Sequence, residues 1–378
     1  MTDERYILMN KNKAIASLDV SMRYARINKV YAQLPSYLAD INTWVMSRTS
    51  LFPRENIVRL AKLAGISIEH EFLTISRAIS INDTFWVNDL MFPTTWNEIN
   101  PYTNRISKIM AEIALNGIGV YNNQSLSSPS PQYRIDGTID KCVKRVGNDI
   151  YLYKTDGEKW SDKAGCRPYS EYYASLVCKQ LGVRNYTEYG LKVKKTESGL
   201  YKPYTYCKIF TNETNGLLQI GNSKYHSMDL ERLMSQLDRS NRQMANDIRE
   251  MLLIDSLMLN TDRHAGNYGF LVNNDTYKII GMAPLFDNDC SLGALTSLQY
   301  KSFDEAYNEL MTMNLPKTNT GGYNDTARLA MTPELYSKLK NIGRLSLGTK
   351  MEGLSDRRFQ FMEYLINRRK DEILSLFK

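Results

Sequence analysis

Residues 252–292 constrain this chain more than any other stretch. An apolar helical run, Ile248 to Leu259, stops at Asn260-Thr261. Asp262-Arg263-His264-Ala265-Gly266-Asn267 follows. Two short strand-like runs come next, Tyr268 to Val272 and Tyr277 to Ile280. Asn273-Asn274-Asp275 sits between them as a turn, so the pair predicts a hairpin. The second strand leads into Ala283-Pro284-Leu285-Phe286-Asp287.

The chemistry this order suggests is phosphoryl transfer. An acid five residues before an Asn can share one tight loop with it. The acid, Asp262, can orient a hydroxyl nucleophile, and Asn267 can hold a metal ion. A hairpin then carries the chain back and delivers a second acid, Asp287, to the same place. Phosphoryl transfer needs mainly positioning and charge neutralisation, so a small set of oxygen ligands suffices. Either turn alone reads as ordinary polar surface; their joint spacing around a hairpin favours a site.

The rest of the chain narrows the class. At 378 residues it has room for two or three core-forming units. No run of 18 or more apolar residues marks a membrane span. The opening Met-Thr-Asp-Glu-Arg lacks a signal-peptide pattern, which points to the cytoplasm. Five scattered cysteines, with no C-x-x-C, read as reduced thiols rather than a disulfide framework or zinc site. Three histidines, none in H-E-x-x-H spacing, argue against a histidine-ligated metal. Of the net charge of +7, residues 121–202 carry 14 basic against 9 acidic groups. That excess would suit a triphosphate, although solvated surface lysines are the default explanation. Nothing in the sequence signals nucleic-acid binding directly.

Taken in order, Tyr6 to Met9 and Ala14 to Val20 predict a hairpin. Ile41, Trp44 and Val45 mark one short helix face. Pro53 suits the first turn of another helix, with Ile57, Leu60, Ala61 and Ala64 on its apolar side and Gly65 past its end. Trp86 and Trp96 lie in mixed, loop-rich sequence and read as core anchors. Residues 121–131, rich in Ser, Pro and Asn, read as a linker or loop. Strands Ile139 to Val146 and Ile150 to Lys154 follow, and alternation puts Ile150, Leu152 and Lys154 on one face. A lysine ending an apolar face needs a partner if buried. Glu171, opening a helix from Ser170 to Leu181, is a candidate; an ordinary surface strand end is the alternative. Tyr204 to Phe210 reads as a further strand. Beyond it, Ser227 can cap a helix, Asn241 to Leu259 leads into the polar loop, and Thr332-Pro333-Glu334 starts another helix. Residues 314–325 read as a mobile loop, and Ser355 to Phe377 as a long amphipathic helix whose run Arg368-Arg369-Lys370 faces solvent.

The segments N-T-D-R-H-A-G-N-Y-G-F and A-P-L-F-D-N-D-C-S-L together resemble the HipA-like serine/threonine kinases of bacterial toxin–antitoxin systems. The D-R-H-x-x-N core is also similar to phosphatidylinositol kinases. His264 follows the acid where eukaryotic protein kinases place a His before it, and residue 288 is Asn rather than the Gly of D-F-G. The resemblance implies an α+β, two-lobed protein-kinase-like (HipA-like) fold. Its parts would be an N-terminal accessory domain (1–120), an N-lobe with an ATP-covering loop (121–211) and a helical C-lobe (212–378).

It also implies the cofactors ATP and Mg²⁺, and a protein substrate with a Ser or Thr acceptor. An antitoxin protein is an implied partner. Asp262 would position or deprotonate the acceptor hydroxyl, and Asn267 and Asp287 would hold Mg²⁺. Lys154 would grip ATP phosphates, held by Glu171. Gly137 and Thr138 offer the one tight turn near the expected phosphate loop, and Cys207 to Phe210 stand where kinases place the adenine-binding hinge. Arg263 and His264 would either structure the loop or face phosphate. Ser127, Ser128 and Ser130, with Ser125 beside them, would be autophosphorylation sites whose added charge expels the loop; a plain flexible linker is the rival reading. The other functional readings are a lipid or small-molecule kinase, and an inactive nucleotide-binding module.

Overall fold

The computed structural model of the chain describes residues 5–21, 24–49, 54–65, 69–117, 129–135, 137–313 and 315–378. Backbone contacts divide the chain into two compact units. One comprises 1–154, 208–218 and 271–280; the other comprises 155–207, 219–270 and 281–378. This division does not follow the three segments expected at 120 and 211. The N-terminal 120 residues share a unit with the hairpin that follows them, and two later segments join that unit.

In the first unit, β1 (Tyr6–Asn10), β2 (Lys13–Val20) and β3 (Ala25–Val30) form an antiparallel meander. Three short helices follow: α1 (Ile41–Thr49), α2 (Glu55–Leu63) and α3 (Glu69–Ser76). Strand β4 (Phe85–Asp89) then pairs with β1, giving the order β3-β2-β1-β4. The expected loop-rich surroundings of Trp86 are thus a strand: pairing with β1 supplies the order that local propensity does not. Trp86 is fully buried and its indole N–H donates to Lys11 O at 2.8 Å, so it is a core anchor as expected. Trp96 opens the short α4 (Trp96–Ile99) and donates to Glu213 at 2.8 Å. The sheet's inner face (Leu8, Ile15, Leu18, Phe85 and Val87) packs with Val45 and Leu73.

Helix α5 (Lys108–Asn116) precedes the hairpin of β5 (Asp140–Val146) and β6 (Asp149–Thr155). The expected apolar face is present: Ile150 and Leu152 join Ile81, Ile135 and Val143 in one cluster. Pro53, expected in the first turn of α2, lies outside the described residues, and Gly65 follows that helix at φ +75°.

In the second unit, α6 spans Arg167–Gln180. It begins three residues before the expected Ser170, because Pro168 fits the first turn, where no N–H is required. Strands β7 (Gly190–Lys195) and β8 (Tyr201–Lys208) pair antiparallel. Strand β8 therefore starts before, and ends short of, the expected Tyr204 to Phe210. Strand β9 (Asn215–Gln219) lies almost wholly in a later segment of the first unit; in the second, α7 (Leu230–Ser240) is capped by Asp229 rather than Ser227. The Asp229 carboxylate accepts from the Arg232 N–H at 2.8 Å. Helix α8 (Arg242–Met258) is capped by Asn241, as its sequence suggests.

The expected hairpin after the polar loop is β10 (Gly269–Asn273) and β11 (Ile279–Met282), in a sheet ordered β11-β10-β9. The C-terminal part is helical: α9 (Phe303–Met313), α10 (Tyr323–Ala330), α11 (Pro333–Asn341) and α12 (Asp356–Ser375). Thr332 and Ser355 cap the last two, as expected. The basic run of α12 does not face solvent throughout. Arg369 is fully buried and donates to Ser256 O and Oγ, each at 3.0 Å; a buried guanidinium is stable only when so satisfied. The chain is thus a mixed α/β protein with antiparallel sheets. Among the described residues, no helix is long and apolar enough to cross a membrane.

Candidate active site

Helix α8 carries an acid, Asp255, inside an apolar run, and the acid is almost wholly buried. Such a carboxylate requires a cation and several donors. Arg263 provides the cation: its Nε and Nη2 reach the two Asp255 oxygens at 2.8 and 3.0 Å. Asn260 Nδ2 adds a third bond to Asp255 at 2.9 Å. The guanidinium is itself fully buried. Burial, the largest influence, opposes its charge, but Asp255, with Asp287 and Tyr189 further off, outweighs it and the pKa is raised.

The same guanidinium organises both functional loops. Nη1 donates to Asn267 O at 2.7 Å and to Phe286 O at 2.6 Å, and Nη2 donates to Asn288 Oδ1 at 2.5 Å. Phe286 and Asn288 flank Asp287. One buried side chain therefore sets the end of the Asp262–Asn267 loop and brackets Asp287. Of the two roles open to Arg263, the structure shows the loop-building one.

Within the loop, Asp262 N–H donates to Asn260 Oδ1 at 3.1 Å, and Asn267 Nδ2 donates to Asp262 O at 2.8 Å. The second bond holds the Asn267 amide by its nitrogen, so Oδ1 would be the atom offered to a metal. His264 is exposed, and its Nδ1 accepts from Gly266 N–H at 3.0 Å, so the ring braces the turn. Gln219 Nε2 donates to Gly266 O at 2.8 Å, and Gly221 N–H donates to Ala265 O at 2.9 Å. Both ends of the segment carry backbone strain. Leu259 sits at φ +52°, a conformation a bulky residue adopts only when its surroundings impose it, and Asp287 at φ +61°, which aspartate tolerates more readily.

Two acids follow the hairpin, and the structure distinguishes them. Asp289 is buried and accepts from Arg167, with oxygens 2.8 and 3.0 Å from Nη2. Burial works against the Arg167 charge, but Asp289 overcomes it and raises the pKa. Asp156 lies near this pair; burial pushes its carboxyl up, Arg167 pulls it down, and Asp289 adds to the rise. Asp289 is thus committed to anchoring α6, while Asp287 is half-buried and directed by Arg263.

Glu171 is fully buried in the second turn of α6 and accepts from Thr205 Oγ1 at 3.0 Å. Lys154 is also buried and ends the first segment of the other unit. Gly137 takes φ +108°, a conformation that L side chains rarely adopt, so the backbone favours glycine there; a Cβ would meet only the movable end of the Lys141 side chain. Thr138 is exposed, Cys207 is buried in β8, and Phe210 lies half-buried beyond that strand. Ser130 is buried and caps a short turn at Pro131–Arg134, its hydroxyl accepting from Gln132 N–H at 3.3 Å. Ser125, Ser127 and Ser128 lie outside the described residues.

Four members of the site were not singled out from sequence. Asp255 had a readable signal, a lone acid in a buried helical run. Asn260, Arg167 and Lys317 had none, because their roles depend on long-range contacts. The Lys317 ammonium lies 2.5 Å from Asp262 Oδ1. Residues 314–325, read as a mobile loop, include this contact and the first turn of α10; residue 314 is outside the described residues.

A metal fits this arrangement in a limited way. Among the described residues, no three His, Cys, Asp or Glu gather as a metal cluster. Asn267 Oδ1 and Asp287 would offer two oxygen ligands, the number expected where substrate phosphates and water complete the shell of Mg²⁺.

Comparison with known proteins bears on this reading. A serine/threonine-protein kinase of Helicobacter pylori, CtkA, is 28% identical over 199 residues, which are 47% of this chain and 55% of that protein. The match therefore spans only about half the length of the curated relative. The solved structure of the Helicobacter pylori proinflammatory kinase CtkA gives a TM-score of 0.43 at 19% identity, covering 63% of this chain and 94% of that one. A MAP kinase from Leishmania major gives 0.18 at 12% identity, covering 65% and 82%. No protein-family model matches the chain. The chain is similar in sequence to a serine/threonine protein kinase.

Proposed function

We propose that the chain is an ATP-dependent serine/threonine protein kinase of HipA-like, two-lobed type. The observation that carries the reading is the Arg263 hub: one buried guanidinium holds the Asp262–Asn267 loop and both neighbours of Asp287. Oxygen ligands and an acid preset in this way are what phosphoryl transfer requires. Similarity to a serine/threonine kinase supports the choice of a protein acceptor.

In this reading Asp262 accepts a hydrogen bond from the acceptor hydroxyl and takes its proton as the oxygen attacks. Asn267 Oδ1 and Asp287 would hold Mg²⁺, which, when bound, neutralises the phosphate oxygens. Arg263 acts through others: it fixes where Asn267 and Asp287 stand and touches no reactant. Lys154 contributes the ammonium for ATP phosphates and Glu171 steadies it, as the HipA-like resemblance implies. Gly137, Thr138 and His264 would face the nucleotide, with Cys207 to Phe210 at its adenine. The same resemblance supports a cytoplasmic toxin role, an antitoxin partner and autophosphorylation in the serine-rich segment.

The test is transfer of label from γ-³²P-ATP, with Mg²⁺, into protein and into lipid extracts. Label in serine or threonine of protein, lost in Asp262→Asn, supports the reading. Label in lipid alone, or none with nucleotide still bound, overturns it in favour of a lipid kinase or an inactive binding module.

A further inference from the structure

We propose that Lys317, from the segment before α10, is a further catalytic residue of this centre: it holds Asp262 and then the phosphoryl group in transit. The inference rests on the phosphotransfer reading above.

The starting observation is the contact itself. Lys317 Nζ lies 2.5 Å from Asp262 Oδ1, on a side chain 57% exposed, against an Asp262 side chain 26% exposed. An ion pair this open contributes little to stability. Its backbone, however, is held firmly. Pro316 and Thr318, on either side of it, are buried. A chain of hydroxyls runs from Thr318 to Thr320 at 2.8 Å and from Thr320 to Thr326 at 2.6 Å, ending on Gly322 O at 3.0 Å. That chain ties the segment to α10. Helix α10 is in turn tied to α8, where Ser256 Oγ donates to Tyr323 O at 2.7 Å.

Arg369 completes the frame. It donates to Ser256 O and Oγ, and to Asn324 Oδ1 at 2.7 Å. The helix that ends in the Asp262 loop and the segment that carries Lys317 are thus built on the same buried contacts. Such fixed scaffolding for an exposed, weakly stabilising cation points to a role at the reacting group.

The chemistry follows from the position. The acceptor O–H gives its proton to the Asp262 carboxylate. The acceptor oxygen bonds to the γ-phosphorus as the bond from that phosphorus to the β,γ-bridging oxygen breaks, and the electron pair leaves with ADP. Lys317 remains an ammonium throughout. Before the step it holds the carboxylate; as the proton neutralises Asp262, the ammonium is released to the nearby oxygens of the phosphoryl group. A flexible four-carbon stem on a fixed backbone permits that short exchange.

The experiment uses the full chain, with casein as acceptor and ADP release as the signal. Lys317→Met should lower kcat by about 10²–10³-fold, the loss typical for one electrostatic donor. KM for ATP and the nucleotide-induced rise in Tm should stay within about twofold of wild type, and Lys317→Arg should restore much of kcat. A merely structural role would not divide kcat from KM in this way. A Lys317→Met enzyme with unchanged kcat overturns the proposal, and one with raised kcat shows the lysine to be an inhibitory plug. If Asp262→Asn is inactive while Lys317→Met is normal, only the lysine assignment fails. If the wild type releases no ADP, both readings fail together.

Discussion

Replacing Arg263 by methionine should cost more than any other single change in the candidate site. The guanidinium makes five hydrogen bonds, two to Asp255 and one each to Asn267, Phe286 and Asn288. Without it, among the described residues, the Asp255 carboxylate keeps only the Asn260 amide as a partner, in a site that water does not reach. Removing one member of such a buried pair costs about 3–5 kcal/mol, chiefly from the charge left behind. For a unit of about 200 residues, that corresponds to a Tm lower by roughly 6–20 °C. Arg263→Lys should fall between, since it keeps the charge but loses the fork. The double variant Arg263→Met with Asp255→Leu should recover part of the loss, because neither charge then remains buried. Differential scanning calorimetry of the wild type, these three variants and Asp255→Leu alone checks this. A shift below about 2 °C for Arg263→Met, or a double variant as unstable as the two singles combined, would refute the hub account.

Three further outcomes follow from the same geometry. Asp289→Ala should lower Tm by several degrees by removing the buried carboxylate that pairs with Arg167, whereas Asp287→Ala should leave Tm nearly unchanged and abolish transfer; thermal scans beside a label-transfer assay separate them. Saturating ATP with Mg²⁺ should raise Tm, by about 2.7 kcal/mol of added stability at 100 times Kd, and Lys154→Ala should reduce that rise more than Asp262→Ala does. Incubation with ATP should place phosphate between Ser125 and Ser130 by mass spectrometry, and Ser127→Asp, Ser128→Asp and Ser130→Asp should each lower transfer; no phosphate, with full activity in all three, leaves the segment a plain linker.

What the sequence revealed depended on how local each feature is. The hairpins near the N-terminus and after the polar loop, the α8 run into that loop and the caps at Thr332 and Ser355 were legible because periodicity and capping act within a few residues. The D-R-H-x-x-N loop was legible because its residues are neighbours in sequence. Arg369 misled for the opposite reason. Its basic flanks describe a solvated run, and contacts with Ser256 and Asn324, 113 and 45 positions away, explain its burial. Trp86 lay in a strand that pairing with β1 creates. Lys317 could not be read at all, since its partner lies 55 residues earlier across an intervening hairpin and helix.

The measurement that tests the central claim most directly is a phosphoproteome comparison of cells expressing the wild-type chain and its Asp287→Ala variant at equal levels. The account predicts serine and threonine phosphosites on a limited set of proteins with the wild type, absent with the variant. The same sites in both, or none gained by the wild type, would contradict it.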